Sequence, residues 1–135
     1  MSDIAVLDAS AVLCYLQGER GEDRVEAAFE AHPCAMTTVN VCEVIGKLVE
    51  RGMPENEVGA VVEDLGLTQV DFDEELARLA GFMKPLTRSI GASIGDRACL
   101  ALARRQALRG GRPTVYTAES AWARLDWPFE LVLIR

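Results

Sequence analysis

A chain of 135 residues, half of them hydrophobic, has the size of one domain and can bury roughly two-thirds of the surface its unfolded form exposes. One core spanning 1–135 is therefore expected. No apolar run approaches the roughly 18 to 20 residues of a membrane span, and Met1-Ser2-Asp3 lacks the cationic start of a signal peptide, so a soluble, cytoplasmic chain with no membrane partner is expected. The formal net charge of -7 opposes nonspecific binding to nucleic acid, whose phosphates most of the surface would repel.

That charge is divided. Through residue 75, four Lys or Arg face seventeen acids, whereas ten face four thereafter. Arg97, Arg104, Arg105, Arg109 and Arg112 form a basic stretch that reads either as a local phosphate-binding rim or as a helix end carrying favourable C-terminal cations. Cys14, Cys34, Cys42 and Cys99 have no C-x-x-C spacing and lie in apolar stretches, which predicts reduced, buried thiols.

In chain order, Ile4-Ala5-Val6-Leu7 reads as a strand buried on both faces, of the kind found in parallel sheets. It stops at Asp8, where a helix begins and runs to about Gln17 before Gly18. Glu22 to Glu30 forms a second helix, Cys34 to Thr37 a short strand. Thr38 is a candidate cap for a helix over Val39 to Arg51, with Val41, Val44, Ile45 and Leu48 in one stripe. Pro54 opens a helix reaching Leu65, and Leu67 to Val70 reads as a strand. Asp73 starts a helix through Met83, and Thr87 to Gly95 is loop-like. From Asp96, the run Ala98 to Ala103 is apolar nearly all round and predicts a central, buried helix. Gly110 to Pro113 is a turn, Thr114 to Thr117 a strand, Glu119 to Leu125 a short helix and Glu130 to Ile134 the last strand. Strands alternating with helices predict an α/β fold: a central, mostly parallel sheet of four to five strands with helices on both faces.

Taken singly, the acids at element ends are ambiguous. Asp8, Asp96 and Glu119 each stand near a predicted helix start, where a carboxylate can simply cap backbone amides. Glu43 lies opposite the apolar stripe of its helix, where a salt bridge to Lys47 is the reading favoured by periodicity. As a set they say more. Acids at the ends of parallel strands project toward one sheet edge, and carboxylate oxygens are the hard ligands that Mg2+ and Mn2+ prefer. His32 is the only histidine and sits in a predicted turn, so no zinc site can be assembled. No G-x-S-x-G or phosphate-cradling G-x-x-x-x-G-K is present.

Four blocks then resemble a known family: Val6-Leu7-Asp8-Ala9-Ser10-Ala11; Thr38-Val39-Asn40-Val41-Cys42-Glu43-Val44; Ser93 through Ala103; and Val115-Tyr116-Thr117-Ala118-Glu119-Ser120-Ala121-Trp122. In order and spacing they are similar to PIN-domain ribonucleases, in particular VapC-type toxins of type II toxin-antitoxin systems. The resemblance implies an Mg2+- or Mn2+-dependent endoribonuclease with an RNA substrate, a VapB-type antitoxin partner and a homodimeric state. Asp8, Glu43 and Asp96 match the family's core acids. Glu119 falls where a fourth acid, usually aspartate, is expected, and Asp126 is a weaker substitute. These four would hold metal, with Glu43 or Glu119 accepting a proton from water, Ser10, Asn40 and Thr117 orienting the ligands by hydrogen bonds, and Arg97 a candidate for a substrate phosphate.

Two other functions share parts of this pattern. One is another Mg2+-dependent phosphotransfer enzyme, although Ser10 stands where a HAD-type phosphatase would carry its second aspartate, and no lysine follows Lys84 to serve a receiver domain. The other is a non-catalytic PIN-like binding module.

Overall fold

The computed structural model describes residues 3–135; the expectation about an export signal at Met1-Ser2 lies outside the described residues. In order the elements are β1 (Asp3–Leu7), α1 (Ala9–Leu16), α2 (Glu22–Ala31), β2 (Cys34–Thr37), α3 (Thr38–Glu50), α4 (Glu55–Asp64), β3 (Thr68–Val70), α5 (Glu74–Phe82), α6 (Ile94–Leu108), β4 (Arg112–Thr117) and β5 (Glu130–Leu133). Short 3₁₀ turns cover Arg88–Ile90 and Ser120–Arg124.

The five strands form one sheet in the order β3-β2-β1-β4-β5, and every pairing is parallel. From β1 the chain steps outward through β2 to β3, then crosses back to β4 on the other side of β1. Alternation along β1 sends Ala5 and Leu7 into one core with α1 to α4, and Val6 into a second core with α5 and α6. Such two-sided coverage explains the uninterrupted apolar β1. In α6, Ala98 to Ala103 are fully buried, as a helix apolar on all sides must be. Among the described residues no helix is long and apolar enough to cross a membrane.

Several boundaries differ from the sequence expectation, and capping chemistry explains two of them. Helix α6 begins at Ile94, before Asp96, because the Ser93 hydroxyl accepts from the Asp96 amide while the Asp96 carboxylate accepts from the Ser93 amide, a reciprocal box that closes the first turn. Helix α3 is capped by Thr37, whose hydroxyl accepts from the Asn40 amide at 3.2 Å; Thr38 instead accepts from the Phe72 amide at 3.1 Å. Strand β4 starts at Arg112, with Pro113 tolerated ahead of the first β5 pairing, Thr114 with Glu130. The segment after Glu119 is a 3₁₀ turn, and β5 ends at Leu133. Cys14, Cys34 and Cys99 are buried as expected, but Cys42 is exposed, being on the side of α3 away from Val41, Val44 and Leu48.

Candidate active site

Because the chain reverses its direction of travel at β1, the connections leaving β1 and β4 diverge and open a crevice beyond their carboxyl ends, the usual ligand position of an open parallel sheet. Leu7 pairs with Tyr116, so Asp8 and Thr117 emerge side by side. The N-termini of α1 and α3 follow β1 and β2, and the N-terminus of α6 joins them through a contact of Gly95 with α3.

Asp8 is 3% exposed. Its Oδ1 accepts from the Ser10 hydroxyl at 2.7 Å and from the Ala11 amide at 2.8 Å, and its Oδ2 accepts from the Thr117 hydroxyl at 2.5 Å. Both hydroxyls are oriented by a second bond: Ser10 Oγ accepts from the Ala118 amide at 3.0 Å, and Thr117 Oγ1 from the Glu119 amide at 2.9 Å. Burial nevertheless dominates, raising the Asp8 carboxyl to about 6 from 3.8; the three hydrogen bonds oppose that rise, and the negative charge of Asp96 adds to it.

Glu43 is exposed, as its position on the helical wheel predicts. Its partner is not Lys47, which meets Glu50 at 3.9 Å. Asn40, fully buried on the preceding turn, donates to Glu43 Oε1 at 2.9 Å and to the Gly95 carbonyl at 3.0 Å. Asp96 is half-buried, with Oδ2 engaged in the α6 capping box. One turn further on, the Cys99 thiol is pushed well up, first by burial and then by the charges of Asp8, Asp96 and Glu43 together. Each of the three acids is thus near enough to Cys99 for its charge to act there.

Glu119 is exposed at the rim and joins this network only through its backbone amide. Its charge is not among those acting on Asp8 or Cys99. The basic stretch does not form a free phosphate-binding rim. Arg97 donates to the Ala80 carbonyl at 3.0 Å and ties α6 to α5. Arg105 and Arg109 pair with acids at the start of α5, and Arg112 pairs with Asp3 at 2.9 Å, at the end of the strands far from Asp8.

The PIN domain family matches residues 5–128. The chain belongs to the PIN-domain family. No curated protein sequence matches it, but solved structures share its fold across nearly the whole length. VapBC2 from Rickettsia felis, bound to a DNA fragment from their promoter, superposes with a TM-score of 0.64 at 14% identity, over 96% of this chain and 97% of that one. DNA-bound VapBC from Salmonella typhimurium gives 0.63 at 18% identity, over 98% of both chains. VapBC-5 from Mycobacterium tuberculosis, a member of the VapBC family of toxin-antitoxin systems, gives 0.60 at 19% identity over 98% of both.

In this PIN domain the acids keep capacity for a further partner. A carboxylate offers about four lone-pair directions. Asp8 uses three, Asp96 one and Glu43 one among the described residues. No salt bridge neutralises Asp8, Glu43, Asp96 or Glu119 among the described residues, and no three acidic, Cys or His side chains there are close enough to share one ion as they stand. Carboxylates with oxygen donors only and no paired cation among the described residues suit a hard divalent ion in their chemistry, and Asp96 can offer its unengaged Oδ1 without leaving its cap.

Two members of the site escape a reading by residue type. Thr37 donates to Asn40 Oδ1 at 2.7 Å, and Gly95 supports the Glu43 carboxylate. Gly95 sits in a stretch that reads as loop, where one more glycine carries no signal.

Proposed function

We propose that this PIN domain is a divalent-metal-dependent endoribonuclease, cleaving RNA phosphodiesters as a VapC-type toxin that a VapB-type antitoxin silences, and acting in the cytoplasm as a homodimer of single-domain chains. The observation that carries this reading is a set of three acids, Asp8 capping α1, Glu43 on α3 and Asp96 on α6, none of them in a salt bridge among the described residues, with Glu43 resting on Gly95 beside Asp96. The likeness in fold to VapBC proteins supports the toxin assignment.

Asp8, Asp96 and Glu43 would hold Mg2+ or Mn2+, with Glu119 reaching in from the rim. When bound, the ion supplies Lewis acidity toward a phosphoryl oxygen and a lowered pKa for water. Ser10 and Thr117, each fixed by a backbone amide, hold the Asp8 carboxylate in one orientation. Glu43 or Glu119, both open to solvent, would accept a proton from water.

Purified protein should cleave RNA with Mg2+ or Mn2+ and stop in excess EDTA. Asp96→Asn, which preserves the cap of α6, should abolish cleavage with the fold intact. Cleavage that continues in EDTA, or at the parent rate in Asp96→Asn, would sink the reading. The exposed, unpaired Glu119 in place of the usual aspartate favours a second reading, a non-catalytic PIN-like module; Mn2+ binding without cleavage of any RNA would select it.

A further inference from the structure

Gly95 is the second residue of α6, and its φ lies outside the left-handed region, so backbone conformation does not call for glycine there, and alanine would favour the helix. Space does call for it. A Cβ at this position would stand 2.3 Å from Glu43 Oε2 and 2.5 Å from both Cδ and Oε1, and these are its three nearest atoms. The Glu43 carboxylate therefore rests directly on the Gly95 backbone. Asn40 holds it there. Its amide nitrogen donates to Glu43 Oε1 and to the Gly95 carbonyl, and its amide oxygen accepts from the Thr37 hydroxyl. A flipped amide would set its oxygen against two acceptors, so the network fixes the orientation.

We propose that Gly95 and Asn40 form a seat for the Glu43 carboxylate, making both positioning residues for the metal-binding acids; the consequence for metal rests on the nuclease reading above. Without the seat, Glu43 is an exposed, freely rotating side chain on α3. With it, the carboxylate is pinned to α6 one residue before Asp96. Two acids from separate helices then hold a fixed spacing before any cation arrives.

Gly95→Ala separates this role from a structural one, because the two move in opposite directions. The metal-free variant should melt at or above the parent temperature, since the methyl group displaces only the end of a side chain. Its Mn2+ affinity by calorimetry should nevertheless fall about 10- to 100-fold, the usual effect of removing a group that orients a ligand, and kcat for RNA should fall with KM little changed. Asn40→Ala should weaken Mn2+ binding similarly. Affinity within twofold of the parent in Gly95→Ala would overturn the proposal. If the parent binds no Mn2+, the nuclease reading fails, and NMR of the metal-free protein decides the seat: the Asn40 side-chain amide resonances should shift in Glu43→Ala and in Gly95→Ala, and unmoved resonances in both would overturn it.

Discussion

Asp8→Asn should make the metal-free protein more stable at neutral pH even though it removes a central acid. Asp8 is 3% exposed and its carboxyl is raised from 3.8 to about 6. A carboxyl raised in the folded state contributes stability that is fully present below the unfolded value of 3.8 and lost as pH rises through about 6. At pH 7 the ionised side chain therefore costs the fold about 3 kcal/mol. Asparagine carries no charge and retains the essential bonds: its oxygen can accept from the Ser10 hydroxyl and the Ala11 amide, and its NH2 can donate to Thr117 Oγ1. An unfolding entropy of about 280 cal/mol/K for a chain of this length converts about 3 kcal/mol into a rise in Tm of up to about 10 °C. Thermal melts of both proteins in EDTA at pH 4 and pH 7 measure it. The gap should be large at pH 7 and mostly closed at pH 4, and excess Mn2+ at pH 7 should stabilise the parent more than the variant. A variant that melts at or below the parent at pH 7, or a gap that is the same at both pH values, would refute burial as the cause.

Thr117→Val removes the hydroxyl that donates to Asp8 Oδ2. Losing a bond to the ionised form raises the carboxyl further, so NMR titration of the metal-free protein should find the Asp8 carboxyl at higher pH; an unmoved titration would show that Thr117 does not hold the carboxylate. Arg105 is 6% exposed and is met by Asp73 at 2.8 Å and Glu75 at 3.1 Å. Asp73→Asn with Glu75→Gln should lower stability in denaturant unfolding by leaving a buried guanidinium without a charged partner, and adding Arg105→Met should restore most of it. Unchanged stability in the double acid variant would show that Arg105 is solvated.

The legible and illegible parts of this chain divide along a physical line. Periodicity reports which side of an element avoids water, and it therefore predicts the doubly covered β1, the buried α6 and the helices on both faces, all present in the structure. It reports nothing about a polar side chain whose partner lies on another element. Glu43 shows this: the wheel correctly makes it exposed and offers Lys47 one turn away, yet its carboxylate is taken by Asn40 and rests on Gly95, 52 residues further along the chain. The starts of α3 and α6 differ for a related reason, since Thr37 and Ser93 compete with adjacent residues for the same capping role and only packing decides between them. Residue type leaves Arg97, Arg105, Arg109 and Arg112 open between a phosphate rim and a helix end, because their partners, Ala80, Asp73, Glu75 and Asp3, lie on other elements. Order and spacing of four short blocks carry what periodicity cannot, because an acid needed at one sheet edge constrains where each strand must end. Asp8, Glu43 and Asp96 all act on the Cys99 thiol, whereas Glu119, the one acid that departs from the family's usual residue, does not.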